Sequence, residues 1–363
     1  MKTIGYLFTI SGLLLMASCS SNHRMVTQIY PDGQISREVY AYGDSAFMAG
    51  DNTHSPFLFS IRGWQQIPLD ASIPFVILGE KSNSLGKEDK LNVKVKRTWN
   101  IWENPLLLTL EKKWLEPLAV PQEKLEKHFR WFYTYYTFTC SYRQIEEKGP
   151  IPIEQFLNKQ EQRLLFQGDL TDYQGMNGLE LNDKLNDLTE RFMKWYDESL
   201  YELRFETIEE WESKSGNKVF ISKLKADKDA IKRAAMDKAK DTDLESIDMG
   251  ELLDTFYQTT YFSTAYQKDK DQINLLFEEK CQPIELFGHQ IKYELNMPGR
   301  LITANTSLRE GDAPYWKVDA YRMLPGDYIL EAQSRVPNIW AFVITGFLAL
   351  FAICGMLYAR RQR

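Results

Sequence analysis

The residues able to do chemistry are few and scattered. The chain of 363 residues holds four histidines and four cysteines. His23 follows a leader-like N-terminus, which leaves His54, His128 and His289 for the body of the chain. No two of them stand at a metal-ligand spacing, and neither His-Glu-x-x-His nor Cys-x-x-Cys occurs. No Gly-x-Ser-x-Gly elbow is present for acyl transfer. Six residues separate Gly79 from Gly86-Lys87, and Glu88 follows where a phosphate loop needs Ser or Thr. Asp269-x-Asp271 lacks the glycine and terminal glutamate of a calcium loop. The neighbouring Glu209 and Glu210 fall on a charged helix face, where nothing raises their proton affinity. His128, opening an aromatic run, is the best single candidate; a strand-end histidine bonded to water or backbone is its ordinary alternative. No catalytic residue, metal site or cofactor is therefore assigned. Trp131, Tyr133 and Tyr135 in that run are candidates for stacking a ligand, with core packing as the competing role.

The charge balance narrows the partners. Forty-four basic against 50 acidic side chains give a net charge of −6 with no basic block. That excludes a nucleic-acid partner on electrostatic grounds. The apolar share of 44% also excludes a disordered chain.

The two ends say most about location. Lys2 precedes an uncharged stretch from Thr3 to Ser18, too short for a bilayer crossing and shaped like a secretory leader. It closes on Met16-Ala17-Ser18-Cys19. This resembles the lipobox of bacterial lipoproteins; the resemblance implies cleavage before Cys19, acylation of its thiol, and no Asp retention signal at Ser20. At the other end, Ile339 to Tyr358 is uncharged, with Arg360, Arg361 and Arg363 behind it. Its 20 residues cover about 30 Å as a helix, the thickness of a bilayer core. Positive charge on the short tail predicts a cytoplasmic C-terminus in the bacterial inner membrane and a periplasmic ectodomain. Ala341, Thr345, Ala349 and Ala352 put small residues on one helix face, a candidate packing surface within lipid. With little chain between Cys19 and the first strand, both anchors are expected in one membrane with the ectodomain lying flat on it. Cys140 and Cys281 then lie in an oxidising compartment, but their separation carries no disulfide signature, and a buried thiol is the commoner outcome.

Between the anchors the period of the pattern changes twice. Met25–Tyr30 and Ile35–Ala41 flank the turn Pro31-Asp32-Gly33-Gln34, which predicts a hairpin. Residues 91–101 alternate as a half-buried strand, and His128–Tyr142 reads as one central strand with both faces apolar. From 152 to 283 the pattern turns helical. Leu181, Leu185, Leu188, Phe192 and Trp195 form one stripe of a helix over Leu179–Trp211. Shorter helices are expected over Ile153–Phe166, Ala226–Ala239, Met249–Thr259 and Lys268–Glu279. From Glu180 to Lys214 there are 11 acidic and 5 basic residues, either a solvated face or a docking surface for a basic partner. Strands return at Gln290–Asn296, Arg300–Asn305, Tyr315–Asp319 and Tyr328–Arg335. The segment from Met297-Pro298-Gly299 through the Trp316 strand to the terminal helix looks like the end of a loose group of bacterial membrane-anchored β-domain lipoproteins. That group implies no particular activity.

These readings give an α+β fold, with one mostly antiparallel sheet drawn from both flanking segments, an acidic helical insertion and one C-terminal transmembrane helix. The expected layout is a leader at 1–18, a lipidated tether at 19–24, β-rich segments at 25–148 and 286–336, a helical insertion at 149–285, and helix plus tail at 337–363. The partners expected are membrane lipid and another envelope protein. The favoured function is a non-catalytic interaction or assembly component of the cell envelope. The alternatives are a tethered hydrolase of an envelope polymer, whose two acids need share no sequence motif, and a lipid- or glycan-binding module on the aromatic sheet.

Overall fold

The computed structural model describes residues 21–77, 90–104, 106–110, 112–145, 149–215, 218–239 and 247–362. The leader and Cys19 lie outside them. The chain divides into two compact units, one of residues 145–288 and one joining residues 17–144 to 289–363.

The β-unit opens with the expected hairpin. β1 (Ser21–Ile29) and β2 (Gln34–Ala41) pair antiparallel, with Ile29 opposite Ile35. Gly33 closes the turn at φ 87°, and a Cβ there would meet the Trp102 ring at 2.2 Å, so only glycine fits. β1 already contains residues 21–24, the stretch expected as tether. Two short helices, α1 (Ser45–Met48) and later α2 (Glu116–Ala119), fill the connections. β3 (Gln65–Pro74) was given no strand signal by its sequence: it carries Pro68 and Pro74, forms an edge, and slips register between Pro68 and Ile73. β4 (Lys90–Asn100) alternates as expected, burying Leu91, Val93 and Val95.

The expected run from His128 to Tyr142 is a hairpin rather than one strand. β5 (Gln122–Phe129) and β6 (Tyr133–Tyr142) pair antiparallel with Phe129 opposite Thr134. Arg130 and Tyr133 exchange backbone bonds of 2.8 and 3.0 Å around Trp131-Phe132. Neither turn residue has positive φ, unlike the usual two-residue hairpin turns, so no Gly or Asn marks it. Only the even positions of β6, from Thr134 to Tyr142, are buried.

The return segment supplies β7 (His289–Asn296), β8 (Arg300–Ala304), β9 (Arg309–Glu310), β10 (Ala313–Asp319) and β11 (Tyr328–Pro337). Two sheets result where one was expected. Seven strands run in the order β3-β4-β2-β1-β7-β10-β9 and four in the order β5-β6-β11-β8. Each draws on both flanks, and among the described residues only β1 with β7 pairs parallel. The chain changes sheet at Met297-Pro298-Gly299, where Gly299 has φ 71° and a Cβ would sit 2.4 Å from the Arg335 carbonyl.

In the helical unit, Asn158 opens α3 (Lys159–Gln162) with a reciprocal cap to Glu161. The expected helix over Ile153–Phe166 is broken into such single turns. α4 (Gly178–Ser215) has 38 residues, about 57 Å, and starts where Asn177 accepts from the backbone of Leu179 and Glu180. α5 (Lys218–Ala239), α6 (Met249–Tyr257), α7 (Tyr261–Lys268) and α8 (Lys270–Glu285) follow. Tyr201, Phe205, Leu224, Ile231, Leu253 and Phe262 form their core. α7 escaped the sequence pattern because Tyr, Phe and Thr are weak helix formers. Asp254 holds its first turn instead, accepting from the backbone of Phe262 at 2.8 Å and Ser263 at 2.9 Å.

Four acidic side chains of α4 are paired within this unit. Glu198 pairs with Lys232 (2.8 Å), Glu202 with Lys228 (2.6 Å) and Glu209 with Lys225 (3.0 Å), antiparallel across α4 and α5. Glu210 takes Lys280 of α8 at 3.0 Å.

Candidate membrane-interface site

The last strand runs straight into α9 (Ile339–Arg361), the one helix among the described residues long and apolar enough to cross a membrane. Its side chains are exposed apart from the buried Ala341 and the half-buried Thr345. Only Asn338 lies between β11 and α9, and its groups are fully used. Its backbone N–H donates to the Phe132 carbonyl (2.9 Å) and its amide nitrogen to the carbonyls of Arg130 (2.8 Å) and Trp131 (3.2 Å). Its amide oxygen accepts from the Thr134 hydroxyl at 2.9 Å. As the N-cap of α9 it makes no side-chain cap bond. An asparagine at this position usually serves its own helix; here it clamps the β5–β6 turn to the helix start.

Aromatic rings complete the joint. Phe129 stacks on Trp340 with centroids 6.1 Å apart, and Trp131 meets the same ring edge-on at 5.2 Å. Phe132 and Tyr133 both pack on Phe342, at 4.8 and 5.7 Å. The Trp131 indole N–H donates to the Thr345 hydroxyl at 2.9 Å. Arg335 lies over the Tyr133 ring at 4.6 Å and Arg130 over Tyr135 at 5.4 Å. Of the aromatic candidates, Trp131 is thus in the turn, while Tyr133 and Tyr135 lie on the outer, half-buried face of β6. In the small-residue face of α9, Ala341 and Thr345 are engaged by this chain, while Ala349 and Ala352 stay exposed. No sequence motif marks Asn338; its role is set by three carbonyls more than 200 residues away in sequence.

The other polar centres are internal. Between the two sheets Arg37, 3% exposed, donates to the Glu123 carboxylate (2.5 Å), the Tyr293 hydroxyl (3.0 Å) and the Thr27 hydroxyl (3.0 Å). Burial pulls the guanidinium's proton affinity down, but Glu123 outweighs it and holds it above the ordinary value. Cys140 stands opposite Glu123, and burial, then that carboxylate, push its thiol up and make it a poor nucleophile. No disulfide occurs among the described residues.

The histidines are dispersed. His128 is exposed and reaches Glu126 at 3.5 Å; His54 binds Asp44 at 3.0 Å. His289 lies 6.1 Å from His23, ring to ring, and burial with the nearby His23 and Lys112 lowers it to about 3. His23 is itself buried in β1 and donates from Nε2 to the Pro56 carbonyl (2.8 Å), a placement its sequence position did not suggest. No group of three metal-ligating side chains occurs among the described residues.

No family, curated protein or solved structure matches the chain.

Proposed function

We propose that this protein is a membrane-anchored component of the bacterial cell envelope that works by interaction or assembly rather than catalysis. α9 holds it in the inner membrane with the ectodomain in the periplasm and the arginine tail in the cytoplasm; its leader and Cys19 fit a lipoprotein precursor. The observation that carries this reading is the Asn338 joint. A tethered enzyme gains from a slack linker, whereas this β-unit is bonded directly to its candidate membrane helix. The orientation of the β-unit is then set by the membrane, as an assembly platform requires.

Three glutamates fit the same reading, because each is committed to structure. Glu123 is engaged by Arg37, and Glu294 receives both nitrogens of Arg24 at 2.7 and 2.8 Å. Glu161, bonded by Arg191 and Lys184, is held at about 2 despite partial burial that opposes it. What the helical unit presents outward includes Leu170, Met176 and Leu179, close in sequence before and at the start of α4 and 47%, 44% and 79% exposed. We assign the partner contact to that end.

The test is site-specific photocrosslinking in intact cells from Met176 and Leu179, with Glu190 on the same helix as the control. One discrete adduct shared by the first two positions and missing from the third supports the assignment. Adducts at all three alike, or at none, overturn it.

A further inference from the structure

We infer that the β5–β6 turn is itself immersed in the leaflet that α9 enters, so that the ligand of this site is the lipid bilayer. The inference rests on α9 crossing the membrane and adds a second, non-helical element to the anchor.

The first argument is depth. Thr345 lies six residues beyond Ile339, about 9 Å down the helix axis. Interfacial segments bury their apolar face roughly 5–10 Å below the headgroup boundary. Trp131 reaches that level to bond Thr345, and Phe132 packs at the level of Phe342. If α9 spans, the tip cannot stay in water.

The second argument is polar satisfaction. Each backbone group orphaned in lipid costs several kcal/mol, and at this turn it is the carbonyls that find partners, while the Trp131 and Phe132 N–H groups make no bond among the described residues. The carbonyls of Arg130, Trp131 and Phe132 are all bonded by Asn338, and the indole N–H by Thr345. In water those carbonyls would need no such provision. The apolar surface around them stays open: Phe129 is 58% exposed, Trp131 45% and Phe132 38%, continuous with Trp340 and Phe342.

The third argument is charge. Arg130 closes the turn, Arg335 stands four residues before α9, and Arg300 pairs directly opposite Arg335 across β8 and β11. Like charges so placed repel, and none of the three has an acidic partner among the described residues. Lipid phosphates at the rim of the immersed tip supply the missing counter-charge.

The test uses the full chain in nanodiscs. Tryptophan emission of Trp131→Phe is subtracted from that of the unaltered protein, which isolates Trp131 from the other eight of the nine tryptophans. The difference emission should be largely lost with lipids brominated in the acyl chain and unmoved by aqueous iodide. Phe132→Trp, which adds a reporter one residue along without removing one, should read the same way if the first variant fails to fold. Quenching by iodide but not by bromolipid, in protein that still resists carbonate extraction, overturns the immersed turn and leaves α9 standing. Release by carbonate overturns both.

Discussion

Replacing Glu123 by glutamine leaves the Arg37 guanidinium buried between two sheets with no counter-charge. Removing one partner of a buried pair costs about 3–5 kcal/mol. The new amide oxygen can still accept from Arg37, as Oε1 of Glu123 now does at 2.5 Å, which returns about 1 kcal/mol. The Tyr293 and Thr27 hydroxyls keep their bonds to the guanidinium, so the net cost is about 2–4 kcal/mol. Cys140 reports this opening directly, because it is fully buried and pairs opposite Glu123. At 1.36 kcal/mol per decade, Glu123→Gln should speed thiol labelling of Cys140 about 30- to 1,000-fold, read by mass spectrometry of its peptide. The double variant Arg37→Met with Glu123→Leu removes both charges and should return labelling to the rate of the unaltered protein or below it. If Glu123→Gln changed the rate less than about three-fold, or the double variant labelled faster still, the pair would not be what closes the two sheets.

Two further outcomes follow from single side chains. Glu161 has its proton affinity depressed, so its stabilisation is full above about pH 4.5 and lost as pH falls through about 2; the gap in thermal midpoint between the unaltered protein and Glu161→Gln should close over that window and stay constant above it. Ala341 is fully buried while Ala349 is exposed, so Ala341→Leu should lower the thermal midpoint in micelles by overpacking, about 1–3 kcal/mol, whereas Ala349→Leu should leave the midpoint unchanged and weaken only helix association in a membrane two-hybrid assay.

What could be read in advance were the elements whose pattern is local. The hairpin around Gly33 has its turn chemistry in four adjacent residues, and α4 shows its stripe and its Asn177 cap within one stretch. The turn at Trp131-Phe132 was illegible for the opposite reason. Its residues favour strands, and what bends the chain there is Asn338, supplied from the far end of the protein. The second sheet was hidden in the same way, because alternation tells which side chains face a core but not which sheet carries them. The charge excess of α4 was plain in the sequence, yet its meaning depended on Lys225, Lys228 and Lys232, which face it only after α5 folds back.

The strand directions bear on the two anchors expected from the ends of the chain. The Pro31 carbonyl, in the β1–β2 turn, accepts from Lys127 at 3.2 Å and Tyr136 at 3.1 Å, close to the α9 end of the hairpin. Arg37, farther along β2, lies at Glu123, the opposite end of β5. β1 therefore runs towards α9, and Ser21 stands eight residues back from Ile29, about 26 Å along the strand. Cys19 is two residues beyond, at most about 7 Å of extended chain. A β-unit lying flat would bring Ser21 down to the bilayer but would lift the Trp131 tip from it; an upright one immerses the tip and holds Ser21 away from the bilayer. An acyl group on Cys19 and the immersed turn thus compete for one bilayer while β1 stays whole. The two arrangements separate in one measurement. If the acyl group takes the same leaflet, Cys19→Ser should free the β-unit to stand and increase bromolipid quenching of Trp131. If α9 and the turn hold the protein alone, Cys19→Ser should leave that quenching unchanged, and this is the expected result. An increase would mean that the aromatic tip enters the membrane only when the lipid is missing.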